Sequence, residues 1–274
     1  MSRCDHPDNL HCQTALQPVS YEELPWSRDP ESLALVPKSR RRAIGPTYRA
    51  SIPSPIVNVK LELAPDLLDR LAELLTELVR FDTLQQARGY DLPALLLRGE
   101  SAASSQIENL TSSVRNVALA EVCSDAPHNA QLIAGNVAAM RTALSQSGGL
   151  TAETIRAVHK SLIDPTGQSF GGEFRTEQVW VGGTAYSPHG ALFVPPRAEH
   201  ISERVEDLAA YARRDDTNPI AKAAVLHAQF ETIHPFIDGN GRTGRALLHK
   251  ILRHDGTLEH ATLPISAGLL HDIV

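Results

Sequence analysis

Cysteine is scarce in this chain. Its 274 residues hold three, Cys4, Cys12 and Cys123, too few and oddly numbered for a disulfide framework. Aromatic residues are also few, at 5%. No apolar run approaches the roughly 20 residues that a membrane-spanning helix needs. The opening MSRCDHPDNLHC lacks the apolar centre of a secretory signal. These absences set the expectation of a cytoplasmic protein with no membrane partner. Basic charge is in deficit: 26 Lys and Arg stand against 32 Asp and Glu, for a net charge of −6. A general nucleic-acid binder carries a basic face, so nucleic acid is not an expected partner. Cys4, His6, His11 and Cys12 have zinc-binding chemistry, but their spacing fits no common zinc module.

What is present is ordinary for a globular chain, with 42% hydrophobic and 21% charged residues. The length allows one large core, or a core with a smaller subdomain. Residues 1–55, rich in Pro, Ser, Arg and Asp, read as a mostly disordered or loosely attached arm. Within it, Lys38, Arg40, Arg41 and Arg42 read as a solvated charge cluster. A helical region is expected over 56–125. It begins at Pro65 and Asp66, with leucines at 67, 68, 71, 74, 75 and 78 on one face. Shorter helices are expected at 92–99, 101–108 and 111–121. The main core then spans 126–274, with helices at 129–146, from Thr151 to before Pro165, and at 198–213, 218–234 and 241–253. Between them, Gln178–Val181 and Ala191–Val194 around a Gly/Ser/Pro-rich tip predict a small β-hairpin. The fold class is therefore mainly α.

The informative stretch is His234-Pro-Phe-Ile-Asp-Gly-Asn-Gly-Arg-Thr-Gly-Arg245. A helical pattern runs into His234 and is stopped by Pro235. Gly239-Asn240-Gly241 makes a tight turn, and a new helix starts. A glycine-rich turn at a helix N-terminus presents free backbone N–H groups and a positive dipole end, which suits phosphate. Arg242 and Arg245 lie three apart on one face of the first turn. A helix dipole disfavours cations there, so an anion shared between two guanidinium forks explains them best. Asp238 is a hard oxygen ligand suited to Mg²⁺ beside phosphates. His234, with an ordinary pKa of about 6.5, can take a proton from an attacking hydroxyl. Gly244 completes the candidate phosphate-binding set. Taken singly, a histidine before proline is usually structural and an Arg-x-x-Arg face is usually solvated. Their combination in one short window describes transfer from a nucleotide. Phe236 reads as a core anchor and His227 as a packing histidine.

His234 to Arg245 resembles the Fic family motif, HPFx(D/E)GNGRxxR, at every defined position. Gly172-Glu-Phe-Arg175, Gln178–Gly182 and Phe193–Pro196 are similar to the family's target-docking flap. Ser104-Ser-Gln-Ile-Glu108-Asn109 resembles its inhibitory helix motif, (S/T)xxxE(G/N), in the subclass that carries that helix N-terminal to the core. The likeness covers residues 60 to 274. It implies a Fic-type helical core with a β-hairpin flap and an N-terminal helical subdomain, the inhibitory helix lying near 101–110. It also implies a protein adenylyltransferase that moves AMP from Mg-ATP to a Ser, Thr or Tyr hydroxyl of a target, or of the protein itself. In that reading His234 is the base and Asp238 holds Mg²⁺. The Asn240 side chain and the Gly239–Gly241 amides hold the α-phosphate region, Arg242 the β-phosphate and Arg245 the γ-phosphate. Glu108 pairs with Arg245 in place of that γ-phosphate. The target adds as an extra strand to the flap around 178–194.

Removal of AMP, transfer of UMP or phosphocholine, and a homo-oligomeric state stay open, because the motif serves each. Gly241 stands where the kinase-like Doc branch carries lysine, which argues against γ-phosphate transfer. A purely non-enzymatic module is not expected from an intact motif. Relatives continue into further helices beyond the position of residue 274, so C-terminal helices are expected to be missing here.

Overall fold

The computed structural model describes residues 15–26, 36–41, 44–87, 92–123 and 125–273. In chain order these form β1 (Ser20–Pro25), a four-residue α1 (Lys38–Arg41), β2 (Thr47–Ile52), α2 (Pro65–Ala87), α3 (Leu92–Ile107), α4 (Val114–Ala120), α5 (His128–Ser145) and α6 (Ala152–Ile163). There follow α7 (Ile201–Ala212), α8 (Pro219–Ile233), α9 (Asn240–His254) and α10 (Ile265–Ile273). The fold is mostly helical, as the sequence implies. The zinc-like residues Cys4, His6, His11 and Cys12 lie outside the described residues.

Local chemistry sets the helix starts. Thr151 caps α6, its hydroxyl accepting from the Thr154 N–H at 3.1 Å. Asn218 caps α8 in the same way ahead of Pro219 at the first helical position. The core gathers α5 to α9 around Met140, Ile155, Leu162, Leu208, Tyr211, Phe230 and Phe236, all but removed from solvent. The motif helix α9 packs on α5, α6 and α8, and α3 lies across α5 and α10.

Three expectations need revision. The two helices expected at 92–99 and 101–108 are one continuous α3. Gly99 does not break it, and Glu100 is buried there because its carboxylate accepts the Ser266 N–H (2.9 and 3.0 Å) at the start of α10. The arm of residues 1–55 is not wholly loose: β1 and β2 pair antiparallel from Ser20↔Ile52 to Pro25↔Thr47. That pair docks on the flap. Ser51 N–H donates to Val194 O (2.9 Å), the His189 ring bonds Thr47 O (2.8 Å), and Trp26 packs edge-on against Trp180. The flap itself forms isolated bridges, Val181↔Phe193 and Thr184↔Ser187, in place of two regular strands. The described two-stranded sheet is thus built from the arm, and it braces the flap from one side.

Candidate active site

The motif straddles the end of α8 and the start of α9. His234 terminates α8 in the left-handed region (φ 49°, ψ 61°), its N–H bonded to Phe230 O at 2.9 Å. A non-glycine residue there stores backbone strain, a common mark of functional positions. The Glu231 carbonyl accepts a hydrogen bond from the His234 ring, which leaves the other ring nitrogen free to act as a base. Burial pushes the His234 pKa below its ordinary 6.5, so the ring is neutral at pH 7.

The loop after His234 is held by its carbonyls. His234 O accepts from the Arg175 Nε (2.8 Å) and Pro235 O from the Arg175 backbone N–H (2.9 Å). Phe236 O accepts from Asn240 Nδ2 (2.8 Å), while Asn240 Oδ1 accepts from the Phe236 N–H (2.9 Å). Asp238 O is bonded to His159 Nε2 at 3.0 Å. Phe236 is fully buried and stacks on the His159 ring, with centroids 3.6 Å apart and planes 8° from parallel. Both polar atoms of the Asn240 side chain thus clamp the loop, and the second N–H of its amide nitrogen is not used by these bonds.

The loop and the first turn of α9 wall a cavity of about 280 Å³. Glu108, Leu110, Leu132, His234, Ile237 and Asp238 through Arg242 line it. Gly239, the cap of α9, has φ 79°, and a Cβ there would strike Leu162. At Gly241 an added Cβ would collide with the Glu108 carboxylate and the Arg245 guanidinium. Gly244 is another matter. It is buried against α8, where a Cβ would meet Glu231 and Phe230, which is close helix packing, and it does not line the cavity.

The two arginines differ. Arg242 is nearly fully buried and touches Asp238 Oδ2 at 3.2 Å, yet its Nε and Nη1 have no partner among the described residues. Two orphaned donors on a buried cation beside a glycine-rich turn fit an anionic ligand. Arg245 is satisfied: Nε donates to Ser104 Oγ (2.8 Å), and Nη2 to Ser104 O and Glu108 Oε1 (2.8 Å each). Glu108 and Ser104 therefore engage the arginine that the resemblance assigned to the γ-phosphate. Asn109 (φ 59°) stops α3 in the left-handed region, with Asn109 N–H on Gln106 O (2.9 Å) and Leu110 N–H on Ser105 O (3.0 Å). That stop gives Asn or Gly a physical reason to follow the glutamate. Asp238 keeps 63% of its side chain exposed at the cavity mouth. No group of three or more His, Cys, Asp or Glu suited to a metal occurs among the described residues. A single exposed carboxylate fits Mg²⁺ that takes its remaining ligands from phosphate and water.

Sequence reasoning gave no site role to three residues that the fold brings here. Buried Arg175 ties together the carbonyls of Ile233, His234, Glu177 and Pro196, and desolvation lowers its pKa to about 10. His159 holds the Asp238 turn. Glu231 is half-buried behind Arg245, with its Oε1 shielded from solvent and unpartnered among the described residues. Burial raises its pKa to about 7, against the lowering pull of Arg245 and with a further push from Glu108. The GEFR string marked Arg175, but nothing local marked the other two.

Residues 149–252 match the family model described as Fic/DOC family. The chain carries a Fic domain. Over 117 residues it is 34% identical to the protein adenylyltransferase Fic of Drosophila willistoni, a stretch that is 43% of this chain and 22% of the fly protein. Over 110 residues it is 31% identical to the protein adenylyltransferase fic-1 of Caenorhabditis elegans, 39% of this chain and 20% of the worm protein. The matches thus span about a fifth of these relatives' length. Among solved structures, a Fic family protein from Desulfovibrio desulfuricans superposes with a TM-score of 0.61 at 23% identity, covering 76% of this chain and 63% of that one. A Fic-domain signalling protein from Bacteroides thetaiotaomicron gives 0.56 at 18%, covering 72% and 79%. These likenesses show that the fold is shared.

Proposed function

We propose that this Fic domain is an autoinhibited protein adenylyltransferase. The observation that carries the reading is the buried Arg242, with two nitrogens unpartnered among the described residues, in the same cavity wall as a neutral, strained His234. The relatives' printed names, protein adenylyltransferase, support the same chemistry. The free ring nitrogen of His234 takes the proton of a Ser, Thr or Tyr hydroxyl. The oxygen attacks the α-phosphorus of ATP, the bond to the pyrophosphate oxygen breaks, and AMP remains on the acceptor while pyrophosphate leaves. Arg242 and the amides at the start of α9 hold phosphate oxygens whose charge grows in the transition state. Asp238 would hold Mg²⁺, which when bound neutralises phosphate charge.

Glu108 restrains this chemistry by keeping Arg245 from the nucleotide. The acceptor docks along the flap around 178–194, where Leu192 is 87% exposed and Val181 40%; self-modification and a homo-oligomer are compatible with that exposed edge. No helix among the described residues is long and apolar enough to cross a membrane, and the cytoplasm is the compartment we infer.

The test is incubation with ATP carrying label on the α- or the γ-phosphate, in parallel, with candidate acceptors. Protein label from α alone is expected; label from γ alone overturns the reading in favour of a kinase. Asp238→Ala should raise the Mg²⁺ concentration required for half activity, and an unchanged dependence moves the metal elsewhere. A second reading, hydrolytic removal of AMP, is favoured by one observation: the Glu108 carboxylate lines the same cavity as His234, where it can orient water. Release of AMP from a pre-modified protein, lost in Glu108→Gly, would select it.

A further inference from the structure

The peptide between Asp238 and Gly239 has a defined polarity, and a residue far from the motif sets it. His159 is fully buried in α6. Its Nδ1 lies 2.9 Å from the Gly172 N–H, which can only donate, so Nδ1 is the unprotonated nitrogen. The proton therefore sits on Nε2, which donates to Asp238 O at 3.0 Å. In a trans peptide the carbonyl of one residue and the N–H of the next point in opposite directions, and the described chain has no cis peptide. With Asp238 O drawn into the protein, the Gly239 N–H faces away from it. That N–H has no partner among the described residues, and Gly239 lines the cavity.

We propose that His159 is a positioning residue: its Nε2–H holds the Asp238 carbonyl inward and thereby turns the Gly239 N–H toward the phosphate pocket. The rest of the loop makes the device specific. Arg175 and Asn240 fix the carbonyls of His234, Pro235 and Phe236, leaving His159 as the one donor to the Asp238 carbonyl among the described residues. Gly239, at φ 79° and ψ 9°, has the freedom to let that peptide rotate once its donor is lost. A flipped peptide would present the Asp238 carbonyl to the phosphate, replacing attraction with repulsion. The absence of a Cβ at Gly239 is what admits Leu162 this close, since a Cβ would sit 2.7 Å from its Cδ2, while His159 Nε2 lies at ordinary contact distance. His159 itself never touches the nucleotide.

The inference rests on nucleotide transfer at this site, and its test separates the two. The first measurement needs only binding: in ¹⁵N-labelled full-length protein, the Gly239 amide resonance should shift when a non-hydrolysable ATP analogue is added with Mg²⁺. The shift should be absent in His159→Phe, which keeps a ring against Phe236 but has no donor. An unmoved Gly239 amide in the wild type overturns the proposal, whether or not any variant folds. The second measurement is kinetic, in the Glu108→Gly background. His159→Phe should lower kcat about 10²- to 10³-fold, the cost of one lost transition-state donor, while the KM for ATP changes less than about threefold. His159→Gln, whose amide nitrogen restores a donor near the Nε2 position, should recover most of the loss. Parent-like kcat in folded His159→Phe, or equal defects in the Phe and Gln variants, overturns the proposal. A Glu108→Gly parent that transfers no AMP counts against the adenylyltransferase reading instead, and the amide measurement still decides the role of His159.

Discussion

The cavity has two walls held in place by unequal amounts of structure. On one side, the carbonyls of His234, Pro235, Phe236 and Asp238 each accept from a donor anchored in the body of the protein, and Phe236 is sealed between aromatic rings. On the other side, Glu108 lies just beyond the last residue of α3. Its carboxylate is 41% exposed and meets one arginine nitrogen. Behind it, α3 is fastened more firmly. Asn136 Nδ2 donates to Ser101 O at 2.8 Å, and Glu100 caps α10 while its carboxylate lies 3.4 Å from His249 Nε2. Under the proposed function the rigid wall is the one that performs chemistry, where small displacements are costly. In the same proposal the half-exposed wall restrains it, and a restraint must be weak enough to leave. Exposed ion pairs contribute little, so Glu108 can yield to a triphosphate without unfolding α3.

Substitutions can break this contrast. The largest effect is expected on the rigid wall: His234→Ala should lower transfer by about 10²- to 10⁴-fold, the usual worth of a general base. ATP affinity should stay close to wild type, because phosphates are held by α9. A calorimetric titration beside a turnover assay checks both, and wild-type transfer by the folded variant removes His234 from its role.

The next effect reads the boundary between the walls through pH. Glu231 lies behind Arg245 with its pKa raised from 4.5 to about 7. A carboxyl favoured in its neutral form stabilises the fold fully below the unfolded pKa, and that stability is lost as pH rises through the folded value. Between about pH 4.5 and 7 the contribution is on the order of 3 kcal/mol at most, from about 1.4 kcal/mol per unit. Glu231→Gln should therefore gain stability over wild type progressively from about pH 4.5 to 7 and level off above that, read as a difference in Tm. Glu108 is one cause of the raised value, so in Glu108→Gly the window should move to lower pH. A pH-independent difference between the Glu231→Gln and wild-type curves would mean that Glu231 does not titrate there.

Much of the rigid wall was legible because its parts are contiguous: a stop, a glycine turn and two arginines fall within twelve residues. What holds those parts is not contiguous. His159 reaches Asp238 across 79 positions and Asn136 reaches Ser101 across 35, and a buried histidine in an amphipathic helix looks like any other core residue. The arm was misread for a related reason. Thr47–Ile52 is a short strand whose pairing partner lies beyond a segment rich in Pro and Arg, and its docking surface lies far along the chain in the flap. Composition registers the intervening residues and not the pairing. The division into helices at 92–99 and 101–108 erred in the opposite sense, because the packing of α3 on α5 and α10 carries one helix through it.

A smaller effect is expected on the releasable wall. Glu108→Gly should raise transfer, self-modification included, by about tenfold, the equivalent of about 1.4 kcal/mol. The same change should lower the Tm by a few degrees, since glycine near a helix end costs roughly 0.5–1 kcal/mol. Adding Arg245→Ala should erase the gain, because both residues act on the same phosphate. A folded Glu108→Gly protein no more active than wild type would mean that the ion pair does not restrain transfer.

The finest test leaves the ion pair chemically intact and disturbs only the backbone that aims it. Asn109 sits at φ 59° and closes α3 through its own N–H to Gln106 O and that of Leu110 to Ser105 O. Alanine tolerates the left-handed region less well than asparagine or glycine, at a cost of roughly 1 kcal/mol. Asn109→Ala should therefore loosen the stop and let Glu108 swing away part of the time. The expected gain in transfer is about threefold to fivefold, below that of Glu108→Gly. Asn109→Gly should stay near wild type, because glycine accepts the same conformation without strain. The ordering Glu108→Gly above Asn109→Ala above Asn109→Gly, measured in one assay, would show that the helix stop aims the glutamate. If Asn109→Ala instead matches wild type while its Tm falls, the stop supports the fold alone, and the restraint resides entirely in the Glu108 carboxylate.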